Sequence, residues 1–399
     1  MADVAEKVRA LMKEHEAEFI ETLKYLHRNP ELAFHEFETT AFIKEYLKSL
    51  NIEILDYGLE TGVVGLLKGY RDGPCIALRA DIDALPIQEE SSCDYQSQVP
   101  GRMHACGHDT HTSSLLAAAT ILASMRDEIH GSVKFLFQPA EEINLGAKHM
   151  MNHNVLENPK VDAIFGLHNA PWIPYGSVCV KNGPLMAAVD RIIFTIRGKG
   201  GHGGIPQGNV DPIVAAAAII QATQTVVSRN VSPLDSAVVS ICNVKAGEGT
   251  TNNVTPDEVK MYGTVRTFRK EVQDLVDKRL TAITRDISEA YGCVGELQYL
   301  RELPVTDNNP CLYDAAHEAV SAVAIPVDPD PSTGGEDFSI FLQTGVPGFF
   351  YWLGVGNKDL DCVHPWHSPK FKADTRAIPI GGGVYAMSVF AAIKQLENK

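Results

Sequence analysis

The 399-residue chain has no lysine- or arginine-rich run, no Cys-x-x-Cys pair, no internal repeat and no low-complexity tract. Each absence removes a class of protein. With 35 basic against 50 acidic side chains, the formal net charge is −15. Such a surface offers no counterpart to a nucleic-acid backbone or to an anionic membrane. The eight cysteines are scattered without paired spacing, which argues against a disulfide scaffold and for a reducing, cytoplasmic setting. The first twelve residues form a charged amphipathic pattern and lack the apolar stretch of a signal peptide. The longest apolar runs, near Leu115–Ala123 and Ile213–Ala222, fall short of the ~20 residues that span a bilayer. What remains is a globular chain, 45% hydrophobic and 21% charged. Its length suits two to three domains of roughly 150 residues.

Hydrophobic periodicity predicts two amphipathic helices at 3–28 and 35–50, then strands at 62–68 and 74–80. A long loop from Leu85 to about His108 follows. Next come a helix at 113–126, a strand at 132–138, a helix at 146–153 and a strand at 163–168. Alternating strands and helices predict an α/β domain with a largely parallel, mixed sheet flanked by helices. Between 187 and 302 the pattern changes to β-α-β-β-α-β: a strand at 190–198, a helix at 211–229, strands at 236–245 and 258–268, a helix at 270–291 and a strand at 294–300. That order is ferredoxin-like α+β. The expected organisation is therefore a discontinuous catalytic domain, residues 1–186 and 303–399, with an insert at 187–302.

Five side chains of metal-binding type lie where predicted elements end: Cys106, His108, Glu142, His168 and His367. Cys106-Gly-His108 sets a thiolate and an imidazole close together, with Asp109 and His111 placed to orient the ligating rings. His104 and His111 compete as ligands on local spacing alone, as His364 does with His367. Glu141-Glu142 follows the apolar strand ending at Gln138, and two carboxylates buried there need compensation. The chemistry divides their labour. One binds metal; the other accepts the proton of a water whose pKa a divalent ion lowers from near 16 to roughly 7.

Several stretches together resemble the amidohydrolase branch of the dinuclear aminoacylase/carboxypeptidase family, which includes hippurate hydrolases and auxin–amino acid conjugate hydrolases. They are Arg-Ala-Asp-Ile-Asp-Ala-Leu-Pro-Ile (79–87), Met-His-Ala-Cys-Gly-His-Asp-x-His (103–111), Gln-Pro-Ala-Glu-Glu (138–142), Gly-Leu-His (166–168), Gly-Gly-His-Gly (200–203) and Gly-Thr-Val-Arg-Thr-Phe (263–268). The resemblance implies that Cys106, His108, Glu142, His168 and His367 hold two divalent ions (zinc, manganese or cobalt), with Glu141 as general base and Asp81 as an orienter near the metals. It implies a lid and dimerisation role for the insert, in a homodimer or higher homo-oligomer. His202 would reach the developing oxyanion from the other subunit, and Asn253 and Arg266 would hold the substrate carboxylate. His367 is favoured over His364 because it directly precedes Ser-Pro, as in relatives.

The glycines from Gly198 to Gly204 lack the Gly-Lys-Ser/Thr of a phosphate loop, so they are read as tight turns presenting His202. The loop Gly334–Phe338 also matches the family, without an assigned chemistry. The expected reaction is metal-dependent hydrolysis of N-acyl amino acids. The alternatives are a dipeptidase or carboxypeptidase with the same machinery, or an acyl-amino-acid-binding protein without catalysis. Trp172, Trp366, Phe349, Phe350 and Tyr351 are candidates for an aromatic pocket or for plain core packing.

Overall fold

The computed structural model describes residues 1–247, 249 and 251–397. The chain forms two compact units: residues 1–185, 307–330 and 337–399, and residues 186–306 with 331–336. The short segment 331–336, expected with the last part of the catalytic domain, belongs instead to the second unit. Its backbone explains why: Ala187 N–H donates to the carbonyls of Ser332 and Gly334, and Met186 bridges Ser332.

In the first unit an eight-stranded sheet runs in the order Glu53–Leu55, Val63–Lys68, His130–Gln138, Arg71–Asp81, Ala163–Pro174, Gly348–Gly356, Ser177–Cys179, Ile325–Val327. The four central strands, His130–Gln138 to Gly348–Gly356, are mutually parallel, while antiparallel pairs lie to either side. Parallel strands are covered on both faces, and the sequence obliges. Cys75–Ala80 and Val133–Phe137 are continuous buried runs. Phe349, Phe350, Tyr351 and Trp352 are each 0% exposed in strand Gly348–Gly356, so the first three are core residues and line no pocket.

Two helix boundaries differ from expectation. The pattern at 3–28 is two helices, Ala2–Glu14 and Glu16–Arg28, broken at His15. The helix expected at 113–126 spans His108–Ser124, so it begins at a candidate ligand. Gly107, at φ +83°, turns the chain into it. The helix Ala377–Glu397 is not expected from the sequence pattern, which three glycines dilute. It is long and apolar enough to cross a membrane, yet 94% of that window is buried inside the protein. It is a core helix. A Cβ at Gly382 would meet Ala117 Cβ at 2.7 Å, so glycine lets this helix lie tightly on His108–Ser124.

The second unit is a four-stranded antiparallel sheet in the order Ala237–Ala246, Glu258–Thr267, Ala188–Arg197, Val294–Leu303. With helices Pro212–Thr225 and Lys270–Ala290, this is the ferredoxin-like arrangement. Asp211 caps the first helix by accepting from Ile213 N–H at 2.9 Å, with Pro212 at the first helical position. Val272, Val276, Leu280 and Ile283 give the second helix its buried stripe.

Candidate metal centre

The sheet delivers the site at its strand ends. Asp81 closes strand Arg71–Asp81, and Glu141-Glu142 form a short turn three residues beyond Gln138. The strand carrying His168, expected to end there, runs on to Pro174. Its pairing with Arg71–Asp81 stops at Gly166, so His168 stands clear of that neighbour while Trp352 pairs it on the other side.

The backbone of the carboxylate turn is held hard. Ala140 (φ +57°) and Asn144 (φ +59°) flank it in the left-handed region, which costs a non-glycine residue on the order of 1 kcal/mol. Compensation comes from buried acids: Glu36 accepts from Ala140 N–H at 2.9 Å, and Asp83 accepts from Glu141 and Glu142 N–H, both at 3.0 Å. His367 is also left-handed, at φ +63°, and its N–H donates to Ala105 C=O at 2.9 Å.

The side chains then converge. Cys106 Sγ is 3.4 Å from His168 Nε2, His108 Nε2 is 3.8 Å from Glu142 Oε1, and His367 Nε2 is 3.5 Å from Glu142 Oε2. Glu141 Oε2 lies 4.0 Å from His108 Nε2, and Asp81 Oδ2 lies 3.9 Å from it. Among the described residues the metal-sized triads include Cys106–His108–His168, Cys106–Glu142–His367 and His108–Glu141–Glu142. Cys106 serves two of them.

Both buried histidines are fixed in one tautomer. His108 Nδ1 donates to Asp83 C=O at 2.9 Å, and His168 Nδ1 donates to Asn169 C=O at 2.8 Å. Each ring therefore turns its Nε2 lone pair inward, the form that binds metal. His108 Nε2 and Glu142 Oε1 are buried with no hydrogen-bond partner. Unpaired polar atoms in a buried site cost about 1–3 kcal/mol each, and two lone-pair atoms aimed into one space fit a bound cation.

Electrostatics agree with a site that needs positive charge. Burial, reinforced by Asp83 and Asp81 against the pull of His108, pushes Glu142 up to about 7. Burial also drives the Cys106 thiol well above its usual range. For His168, burial and the neighbouring His111 hold the ring well below its usual value.

Two of the three competing candidates are otherwise engaged. His111 Nδ1 donates to Asp81 Oδ1 at 2.5 Å, and its Nε2 accepts from Asn169 N–H at 2.8 Å. His364 pairs with Asp361 at 3.5 Å. His104 is buried, with neither ring nitrogen partnered, and burial pushes it down to about 4.

Three further residues expected at the site lie in the second unit. His202 sits on an exposed ribbon, Gly201–His202 paired with Val254–Thr255, and Asn253 C=O accepts from Gly203 N–H at 2.8 Å. Arg266 lies on the four-stranded sheet, half-buried, with Nη1 donating to Thr264 Oγ1 at 2.6 Å.

Residues 77–390 match the family model described as peptidase family M20/M25/M40. The chain belongs to this family. It is 47% identical over 363 residues to an N-acetylcysteine deacetylase of Bacillus subtilis (strain 168), across 90% of this chain and 93% of that protein. It is 37% identical over 389 residues to thermostable carboxypeptidase 2 of Saccharolobus solfataricus, across 96% and 98%. A solved Bacillus subtilis structure, a dinuclear metal-binding M20 peptidase, superposes with a TM-score of 0.85 at 41% identity, covering 96% of this chain and 99% of that one.

Within this M20 fold, two residues that the sequence reading left without a role carry the carboxylate turn. Asp83 orients His108 and both glutamate amides. Asp337, in the loop left without chemistry, donates its N–H to Glu141 Oε1 at 3.3 Å. Its carboxylate accepts from Arg79 at 2.7 Å and from Gln138 at 2.8 and 2.9 Å. The stretch Arg-Ala-Asp-Ile-Asp carries both aspartates, and residue type alone does not distinguish Asp83 from Asp81.

Proposed function

We propose that this M20 hydrolase cleaves the amide bond of N-acyl amino acids, releasing a carboxylic acid and a free amino acid. One observation carries the reading. Cys106, His108, Glu142, His168 and His367 converge, with His108 Nε2 and Glu142 Oε1 facing inward without a partner, and a second carboxylate, Glu141, stands beside them. In this reading those five residues hold two divalent ions. When bound, such a pair supplies Lewis acidity to the scissile carbonyl and to the attacking water.

Glu141 does the proton work. Its Oε1 is held by Asp337 N–H, and Oε2 faces the ligand ring of His108. Oε2 takes the water proton as the carbonyl carbon is attacked, then delivers it to the departing amine nitrogen. One water is thus added across the C–N bond.

The second unit supplies the remaining roles as lid and dimerisation domain. His202 Nδ1 accepts from Gly204 N–H at 2.9 Å, so the neutral ring carries its proton on Nε2. That proton suits an oxyanion, reached from the partner copy in a homodimer. Arg266, with a planar guanidinium, and Asn253 hold the substrate carboxylate. The deacetylase relative supports small acyl groups as substrates. The carboxypeptidase relative supports the second reading, in which the acyl group is itself an amino acid.

The deciding experiment strips the enzyme of metal, restores zinc, manganese or cobalt, and measures amino acid release. The panel holds N-acetylcysteine, other N-acetyl, N-benzoyl and long-chain acyl amino acids, and dipeptides. Metal-dependent release from acyl amino acids with dipeptides intact is expected. Dipeptide cleavage alone moves the enzyme to the peptidases, and silence throughout with metal bound overturns the hydrolase reading.

A further inference from the structure

Asn169 follows the candidate ligand His168, is 0% exposed and carries no charge, yet its hydrogen bonds reach Cys106, His111, His168 and Trp366. Its side-chain Nδ2 donates to Cys106 C=O at 2.6 Å and lies 2.9 Å from His111 Nε2. Its backbone N–H donates to that same His111 nitrogen, and its C=O fixes the His168 tautomer. On the far side, Trp366 Nε1 donates to both its C=O and its Oδ1, each at 3.1 Å. Trp366 precedes His367 and packs its ring on His168, with centroids 4.4 Å apart.

The amide is chosen by chemistry. Cys106 C=O demands a donor and Trp366 Nε1–H demands an acceptor, and one buried side chain must serve both. A carboxamide does so without charge, with donor and acceptor on separate atoms. Space is made for it: a Cβ on Gly107 would meet Asn169 Nδ2 at 2.3 Å. Alanine at 107 would push the amide off the Cys106 carbonyl.

We infer that Asn169 is a positioning residue that couples the Cys106 loop, the His168 ring and the Trp366–His367 arm into one preformed ligand set. The inference rests on reading the cluster as a metal site. The amide oxygen sets the His367 arm and the amide nitrogen sets Cys106, so the two ends are separable by substitution.

The test uses cobalt(II) as probe, read by equilibrium dialysis and by the thiolate-to-cobalt absorption of Cys106. Asn169→Ala should bind cobalt about 10–100-fold more weakly, as loss of such supporting partners does, and should lose or shift the thiolate band. Trp366→Phe keeps the ring on His168 and removes only the donor, so it should weaken binding by a smaller factor and keep the band. Wild-type affinity and band in Asn169→Ala overturn the inference. Equal loss of the band in both variants also does so, because that is general loosening. If Asn169→Ala does not fold, unchanged cobalt affinity in Trp366→Phe is overturning by itself. Cobalt readouts that follow expectation in an enzyme silent on every acyl amino acid leave this inference standing and remove the hydrolase reading.

Discussion

Two buried clusters in the first unit use the same residue types and do opposite things. One is Cys106, His108, Glu142 and His168; the other is His27, Glu89 and Cys93, also close enough to hold an ion. They are neighbours in sequence logic, since Asp109, the residue after a ligand, belongs to the second. In that second cluster His27 Nδ1 donates to Asp109 Oδ2 at 2.7 Å and Nε2 donates to Glu89 Oε1 at 3.1 Å. Ser91 Oγ and Ser97 N–H complete Glu89. Donating from both nitrogens makes His27 an imidazolium between two carboxylates, and its charge is already balanced. In the first cluster the ring nitrogens facing inward are acceptors, and two atoms have no partner. Residue type admits a cluster to candidacy; unmet valence separates a metal site from a structural ion pair.

Substitutions can break that contrast. The largest effect is expected at Glu141→Ala, which should lower kcat about 10²–10⁴-fold while elemental analysis finds the metal content unchanged. A near-wild-type rate would remove Glu141 from the chemistry. Next, His27→Ala leaves Asp109 and Glu89 buried without their cation. Breaking such a pair costs about 3–5 kcal/mol, readable in urea unfolding, again with unchanged metal per folded chain. Lost metal would mean that the second cluster holds an ion, and the contrast would fail.

Chelation sharpens the contrast from the other side. An ion present at 100 times its Kd stabilises the fold by about 2.7 kcal/mol, so stripping metal should lower the unfolding midpoint of the wild type. His27→Ala should show the same decrement as wild type, because the two clusters add independently.

The smallest effects are in pH, and they run in opposite directions. Although burial opposes the charge, Asp109 and Glu89 hold the His27 pKa well above the usual 6.5. The folded ring binds its proton more tightly than the unfolded one. Its stabilisation is therefore full below about pH 6.5 and disappears as pH rises through the higher folded value. The slope of unfolding midpoint against alkaline pH should flatten in His27→Ala. At the other cluster, Glu142 at about 7 must lose its proton to bind metal. Metal affinity should fall as pH drops below about 7, measured by dialysis across pH 6–8.

The candidate ligands were legible because each belongs to the small set that binds divalent ions, and because each lies in a short local motif. Supporting residues were less so. Asp83 and Asp81 are alike as letters; only the strand end, which aims Asp83 at the Glu141 and Glu142 amides, tells them apart. Asn169 gave no chemical signal, because its role is made by neighbours 58 and 63 residues earlier and 197 later. The parallel sheet and the β-α-β-β-α-β order could be read from alternating patterns. The break at His15 could not, since the apolar stripe continues through it, nor could the attachment of 331–336, which rests on backbone hydrogen bonds. The start of helix His108–Ser124 was missed for a related reason. Its first turn is filled with site residues and carries no amphipathic period.

The buried helix Ala377–Glu397 has a consequence for how the molecule is made. It follows every other described element in the chain, yet it packs against helices Ala2–Glu14 and His108–Ser124. Residues 186–306 can close their own sheet as soon as they leave the ribosome. The first 185 residues lack the central strand Gly348–Gly356 and this helix until about 210 further residues have been made. At ~5–20 residues per second the nascent chain carries that open, apolar half-sheet for roughly 10–40 s. During that interval the strand edge at Ala163–Pro174 awaits its partner, and chaperones would find their substrate there.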